Sequence, residues 1–190
     1  MLKRMAAVIM GLGLAMALAT SASAVEVSGV EVRDTLDAGG ETLTLNGAGV
    51  RSRFFVKLYV AALYLPEAST DASAILAADE PQAIALHVTS GRINSDNMTE
   101  ATLDGFKKST GGNLGPIKGE VDQLLTVFAS EISEGDVFDL VYVPGEGVQV
   151  IKNGELGDTI GDRRFKEALF GIWIGHDPAQ GGLKKDMLAQ

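Results

Sequence analysis

From Phe54 to Leu65 the chain reads FFVKLYVAALYL, apolar at every position but Lys57, rich in aromatic and branched side chains, and closed by Pro66. A run of this kind has no polar face to offer solvent, so it predicts a central strand covered on both sides, and therefore a sheet with neighbours to cover it. The flanking segments supply them. Val25–Val32 alternates, Asp37-Ala38-Gly39-Gly40 marks a turn, and Thr42–Leu45 alternates again before Asn46-Gly47-Ala48-Gly49, which together read as a hairpin of short strands.

Beyond Pro66 the period changes. Ala72–Ala78 is expected to be a short helix and Ala83–Val88 a further strand. Ser95–Lys108 reads as a helix with Asp96 or Asn97 available as its N-cap, ended by Gly111 and Gly112. Ile117, Val121, Leu124, Leu125, Phe128 and Ile132 mark one apolar face of a helix from about Pro116 to Ser133. Val137–Val143 and Val148–Lys152 read as strands, Asn153-Gly154 as another hairpin signal, and Phe165, Leu169, Ile172 and Trp173 as a last amphipathic helix ended by Gly175. Strands first, helices mostly later, and hairpins in place of regular β-α-β units predict an α+β fold: a large antiparallel sheet packed against a layer of helices.

The N-terminus bears on compartment. Lys3 and Arg4 precede an apolar run from Met5 to about Ala19 and the small residues Ala22-Ser23-Ala24, the pattern of a cleavable secretory signal. Residues 1–24 are expected to be removed on export to the periplasm, leaving one domain over 25–190 and no stable membrane insertion. The formal charge of −9 becomes two units more negative when Lys3 and Arg4 are lost, which argues against nucleic acid and against anionic membrane surfaces as partners. No cysteine is present, so thiolate chemistry and zinc–sulfur sites are excluded. His87 and His176 have no metal spacing and are expected to be structural or surface residues. No metal and no cofactor is assigned.

Two segments carry a resemblance: GAGVR at 47–51 followed by FVKLYVAALYLP at 55–66, and FKEALFGIWIGHDP at 165–178 followed by Leu183-Lys184-Lys185. Together they resemble the chalcone isomerase-like superfamily, in particular its bacterial secreted members. The resemblance implies an open-faced β-sandwich, a sheet with a helix layer and a cleft between them, hosting either plant isomerases that close a flavanone ring or plastid fatty-acid-binding proteins. In the enzymes, the arginine matched by Arg51 polarises the substrate, and a threonine, a tyrosine, an asparagine and a late threonine or serine complete the site. Here the threonine position is Tyr59, no tyrosine lies between Tyr64 and Tyr142, and Ile172 stands at the late hydroxyl; Asn94 and Asn97 lie near the place of the asparagine. Loss of the groups that order a catalytic water removes acid–base assistance, typically about 10²- to 10⁴-fold in rate. The fatty-acid-binding branch resembles the chain at both places, and implies that Arg51 and Tyr59 hold a carboxylate.

Read as one extended strand, Arg51, Arg53, Lys57 and Tyr59 share a face, and Phe54, Val56, Leu58 and Val60 share the other. A face with cations and a phenol needs an acidic partner, either a ligand carboxylate gripped by the planar guanidinium fork or an internal Asp or Glu. Leu124, Leu125, Phe128, Phe165, Leu169 and Trp173 read as core unless a cleft is left unfilled. The expected function is non-catalytic binding of a fatty acid or similar small apolar carboxylate; the alternatives are an isomerase of the chalcone isomerase type, or an accessory protein with no ligand.

Overall fold

A computed structural model describes residues 24–190, so the expected signal segment lies, but for Ala24, outside the described residues. The centre is a seven-stranded antiparallel sheet with strands side by side in chain order: β3 (Thr35–Ala38), β4 (Glu41–Arg53), β5 (Val56–Leu65), β6 (Gln82–Val88), β7 (Val137–Val143), β8 (Gly147–Lys152) and β9 (Glu155–Ile160). A separate hairpin, β1 (Ala24–Val27) with β2 (Val30–Arg33), precedes it. The helices are α1 (Ala72–Ala77), α2 (Ser95–Ser109), α3 (Lys118–Phe128), α4 (Arg163–Ile174) and α5 (Gly181–Met187). The expected α+β sheet-and-helix architecture is what the chain adopts.

β5 is covered on both faces because alternation along it feeds two cores. Ala61, Leu63 and Leu65 pack with Phe106, Leu124, Phe165, Leu169 and Trp173 of the helix layer. Val60, Ala62 and Tyr64 point the other way, into a smaller core closed by Val32 and Leu36. The sheet curls enough for β3 to reach β6 and β7 on this second side. There Arg33 Nη2 donates to Asp139 Oδ1 at 2.6 Å and the Tyr64 hydroxyl donates to the Arg33 carbonyl at 2.9 Å, which fastens the β1–β2 hairpin over the sheet. His87 lies beside this pair on β6, buried, with no partner for Nε2; His176 is exposed.

Five sequence expectations are corrected. The apolar run is not one strand: Phe54 and Phe55 form a two-residue turn between Arg53 and Val56, both with positive φ (49° and 65°), and both are exposed. Val25–Val32 is likewise split by a Ser28-Gly29 turn. Asn46–Gly49 is no turn but the middle of β4, bulged between Leu45 and Gly47. The α2 cap is Asn94, which accepts from Asn97 N while the Asn97 side chain accepts from Asn94 N, a reciprocal box that satisfies two orphan donors. The third helix is also shorter than its apolar pattern: it stops at Phe128, and Ile132 reaches the core from the loop. α5, a short helix without strong periodicity, went unmarked.

α5 explains the glycines of the GAGVR segment. A Cβ at Gly47 would lie 2.3 Å from the Asp186 carbonyl oxygen, and one at Gly49 would lie 2.6 Å from Asp186 Cβ. The two glycines let α5 lie directly on β4. Asn46 then pins it, donating to the Met187 carbonyl at 2.9 Å and exchanging bonds with Ser69.

On the helix side, Lys166 of α4 is fully buried, and its Nζ donates to the carbonyls of Ala78 (2.8 Å), Leu76 (3.0 Å) and Ile75 (3.2 Å) at the end of α1. Burial holds its pKa down at about 8.

Candidate functional site

Between the sheet and helices α2 and α4 a cleft of about 610 Å³ is left unfilled, within the range of ordinary small-molecule sites. Its floor comes from β4 and β5, through Arg51, Arg53, Val56, Leu58 and Tyr59; its roof from α2 and α4, through Met98, Thr102, Ile172 and Trp173. Arg51 and Tyr59 reach the same space for a reason different from the strand parity read in the sequence. With the Phe54-Phe55 turn between them they are directly opposed residues of an antiparallel pair, and opposed residues project to one face. Lys57 does not join them: it is exposed and its Nζ donates to Ser28 Oγ at 2.6 Å. Of the six helical residues left open between core and pocket, Trp173 lines the cleft, whereas Leu124, Phe128, Phe165 and Leu169 are buried core and Leu125 packs partly buried against it.

Arg51 is held by a residue the sequence gave no reason to single out. Gln180, just before α5, takes the Arg51 Nη1 donor at 3.0 Å and the Ser52 backbone N–H at 2.9 Å on Oε1, and returns Nε2 to the Val50 carbonyl at 3.2 Å. Arg51 Nη1 also donates to the Ser52 carbonyl at 2.8 Å. Both bonds use Nη1, and the guanidinium also lies beside the Tyr59 hydroxyl. The signal for Gln180 was invisible because it depends on where α5 lies, and α5 depends on Gly47 and Gly49.

Tyr59 is fixed from the roof: the Trp173 indole N–H donates to its hydroxyl at 3.0 Å. Burial pushes the Tyr59 pKa above the ordinary phenol value, opposed by the Trp173 bond and the nearby Arg51 cation. The phenol therefore stays protonated near neutrality. With its oxygen accepting from Trp173, its own proton remains to donate. Asn94 and Asn97, candidates for the enzyme asparagine, spend their side chains on the α2 cap, and Asn97 Nδ2 also donates to the Arg92 carbonyl at 2.5 Å. Thr102, a buried hydroxyl-bearing residue in the roof, was not foreseen. Among the described residues no group of three or more potential metal ligands converges, and no helix is long and apolar enough to cross a membrane.

A family model described as chalcone isomerase-like matches residues 24–189, essentially the whole described chain. The chain belongs to the chalcone isomerase-like family. A search of curated protein sequences finds no match. Among solved structures, the chain is similar to an Arabidopsis thaliana fatty-acid binding protein, with a TM-score of 0.62 at 18% identity, covering 85% of this chain and 92% of the other. At that identity the likeness concerns the fold. Within the chalcone isomerase-like fold the cleft lies where the sequence resemblance implies it, between sheet and helix layer, with Arg51 at its floor and Ile172 at its roof.

Proposed function

We propose that the cleft binds a fatty acid or similar small apolar carboxylate, with its acid group at Arg51 and Tyr59, and carries out no chemistry on it. The observation that carries this reading is the pairing, in one open cleft, of a guanidinium and a phenol that keeps its proton. A fork of N–H donors and one O–H donor suits a carboxylate, which only accepts.

Charge supports the same class. Arg51, Arg53, Arg92 and Lys108 border the cleft against a single acid, Asp104, in a chain of net charge −9. Local potential, not net charge, decides which ligand enters. Val56, Leu58, Met98 and Ile172 offer an apolar tail its contacts. The structurally similar Arabidopsis protein is named as a fatty-acid binding protein, which supports the ligand class. Tyr59, with its pKa raised, is a donor and a poor base, and this supports binding over isomerisation. The accessory alternative required a cleft filled by side chains. The proposed place of action is the periplasm, after removal of residues 1–24.

The test is native mass spectrometry of the protein isolated from its own cell envelope, followed by palmitate titration read through Trp173, the only tryptophan. The wild type should carry an acidic lipid. Arg51→Ala should weaken palmitate binding by about 10- to 100-fold, the scale of a charge-assisted bond, and Tyr59→Phe by roughly 3- to 10-fold. An empty wild type that takes up no added fatty acid refutes the reading.

A further inference from the structure

Four antiparallel pairs in the described chain are joined by two-residue turns with both residues at positive φ. Three use the residues such turns ordinarily demand: Ser28-Gly29 (56° and 83°), Gly39-Gly40 (60° and 88°) and Asn153-Gly154 (52° and 84°). The fourth, between β4 and β5, is Phe54-Phe55 (49° and 65°). An L side chain is strained there, and a bulky aromatic more than most. Burial inside the protein does not repay the strain, since Phe54 is 83% exposed and Phe55 fully so. They are the two most exposed large apolar side chains described.

The tip stands at the mouth of the cleft, which Arg53, Phe54 and Val56 line. Cations flank it. Arg53 lies next in the chain, its guanidinium carbon 5.4 Å from the centre of the Phe54 ring; Lys57 is exposed two residues past the turn; Arg92, also exposed, borders the same mouth. Exposed aromatics ringed by basic side chains match the interface of a phospholipid layer, where rings settle at headgroup depth and cations meet phosphate. The net charge of −9 argues against an anionic surface only at long range. Within a Debye length of about 8 Å at physiological salt the tip presents its own charges.

We propose that Phe54-Phe55 is a docking tip that seats the cleft mouth on an anionic phospholipid surface. Its use in loading or delivering a lipid rests on the cleft being the fatty-acid site proposed above; the docking itself does not. Residues that strain a turn and bury nothing are then explained by what they bury on contact.

The experiment is sedimentation of the wild type, Phe55→Gly and Lys57→Glu with vesicles of phosphatidylglycerol and phosphatidylethanolamine, alongside palmitate binding from solution. Phe55 and Lys57 do not line the cleft. Phe55→Gly places at the turn the residue found there in the other three, so it should fold and melt about 2–8 °C higher. The same variant should lose about 10- to 100-fold in vesicle affinity, the scale of burying one aromatic ring, yet bind palmitate as the wild type does. Lys57→Glu should also weaken vesicle binding, and added salt should weaken that of the wild type.

Wild-type vesicle binding that Phe55→Gly leaves unchanged overturns the proposal. So does a wild type that binds palmitate but no vesicles, or a wild-type dimer that Phe55→Gly turns into a monomer, in which case a second copy covers the tip. Docking through Phe55 without any palmitate uptake upholds the tip and refutes the cleft reading.

Discussion

Gly47→Ala tests the link between the GAGVR segment and the site, because it changes no group in the cleft. The added methyl would sit 2.3 Å from the Asp186 carbonyl oxygen, 2.8 Å from the Met187 carbonyl oxygen and 3.0 Å from its carbon. Carbon–oxygen contacts settle near 3.3 Å, so α5 must move by about 1 Å. Its neighbour is main chain and no rotamer change relieves it, which places the cost at the upper end of the roughly 1–3 kcal/mol for overpacking. Moving α5 also breaks the bond from Asn46 to Met187, worth about 1 kcal/mol. The less flexible unfolded chain of the alanine variant returns about 0.4–1 kcal/mol. The net loss is about 3 kcal/mol, or roughly 6–12 °C in Tm for a chain of this size. Because Gln180 precedes α5 and holds Arg51, palmitate affinity should fall as well. Thermal unfolding by circular dichroism reads the first effect and titration the second. Gly119→Ala is the control of opposite sign: it is exposed on α3 with no atom within 4 Å of the new methyl, and should stabilise by about 0.5–1 kcal/mol. If Gly47→Ala melts at or above the wild-type temperature, the close-approach reasoning is wrong.

Two further outcomes follow from buried polar groups. Lys166→Met leaves the carbonyls of Leu76 and Ala78 without the ammonium that caps them and should cost about 2–4 kcal/mol in urea unfolding; an unchanged midpoint would show that the capping contributes nothing. For His87, burial lowers the folded pKa below 6.5, with Asp139 opposing that shift and Arg33 reinforcing it. The unfolded state then takes the proton first, so stability should be constant with respect to this group above pH 6.5 and fall on acidification below it. His87→Leu should flatten the slope near pH 6, and an unaltered slope would contradict the assignment.

What the sequence disclosed was whatever depends on a single period or a single turn. β6, β7, β8, α2 and α4 lie within a residue or two of where alternation and helical spacing place them, because each buries a face its own pattern announces. The errors share a different origin. Phe54-Phe55 was absorbed into the strand because aromatic residues signal burial, and no local rule says that two of them will stand in a left-handed turn. Asn46–Gly49 read as a loop because glycine and asparagine signal turns, yet here the glycines serve contact with α5, some 140 residues on. In both cases a residue was chosen for what lies outside its own strand. The site was legible to the same degree: Arg51 and Tyr59 came through the family resemblance, whereas Gln180 and Thr102 belong to contacts that exist only once the helices are placed.

The helix placement also accounts for the roof of the cleft. A Cβ at Gly105 would lie 2.7 Å from Ile172 Cγ2, and one at Gly171 would lie 3.0 Å from Ser109 Cβ, so α2 and α4 touch through two positions without side chains. Ile172, which the sequence resemblance matches to the late hydroxyl of the enzymes, is packed into the notch of Gly105. Ile172 serves the spacing of two helices, and the next residue, Trp173, turns its N–H to Tyr59. One helix crossing thus sets both the apolar Ile172 contact in the roof and the hydrogen bond that fixes the Tyr59 phenol.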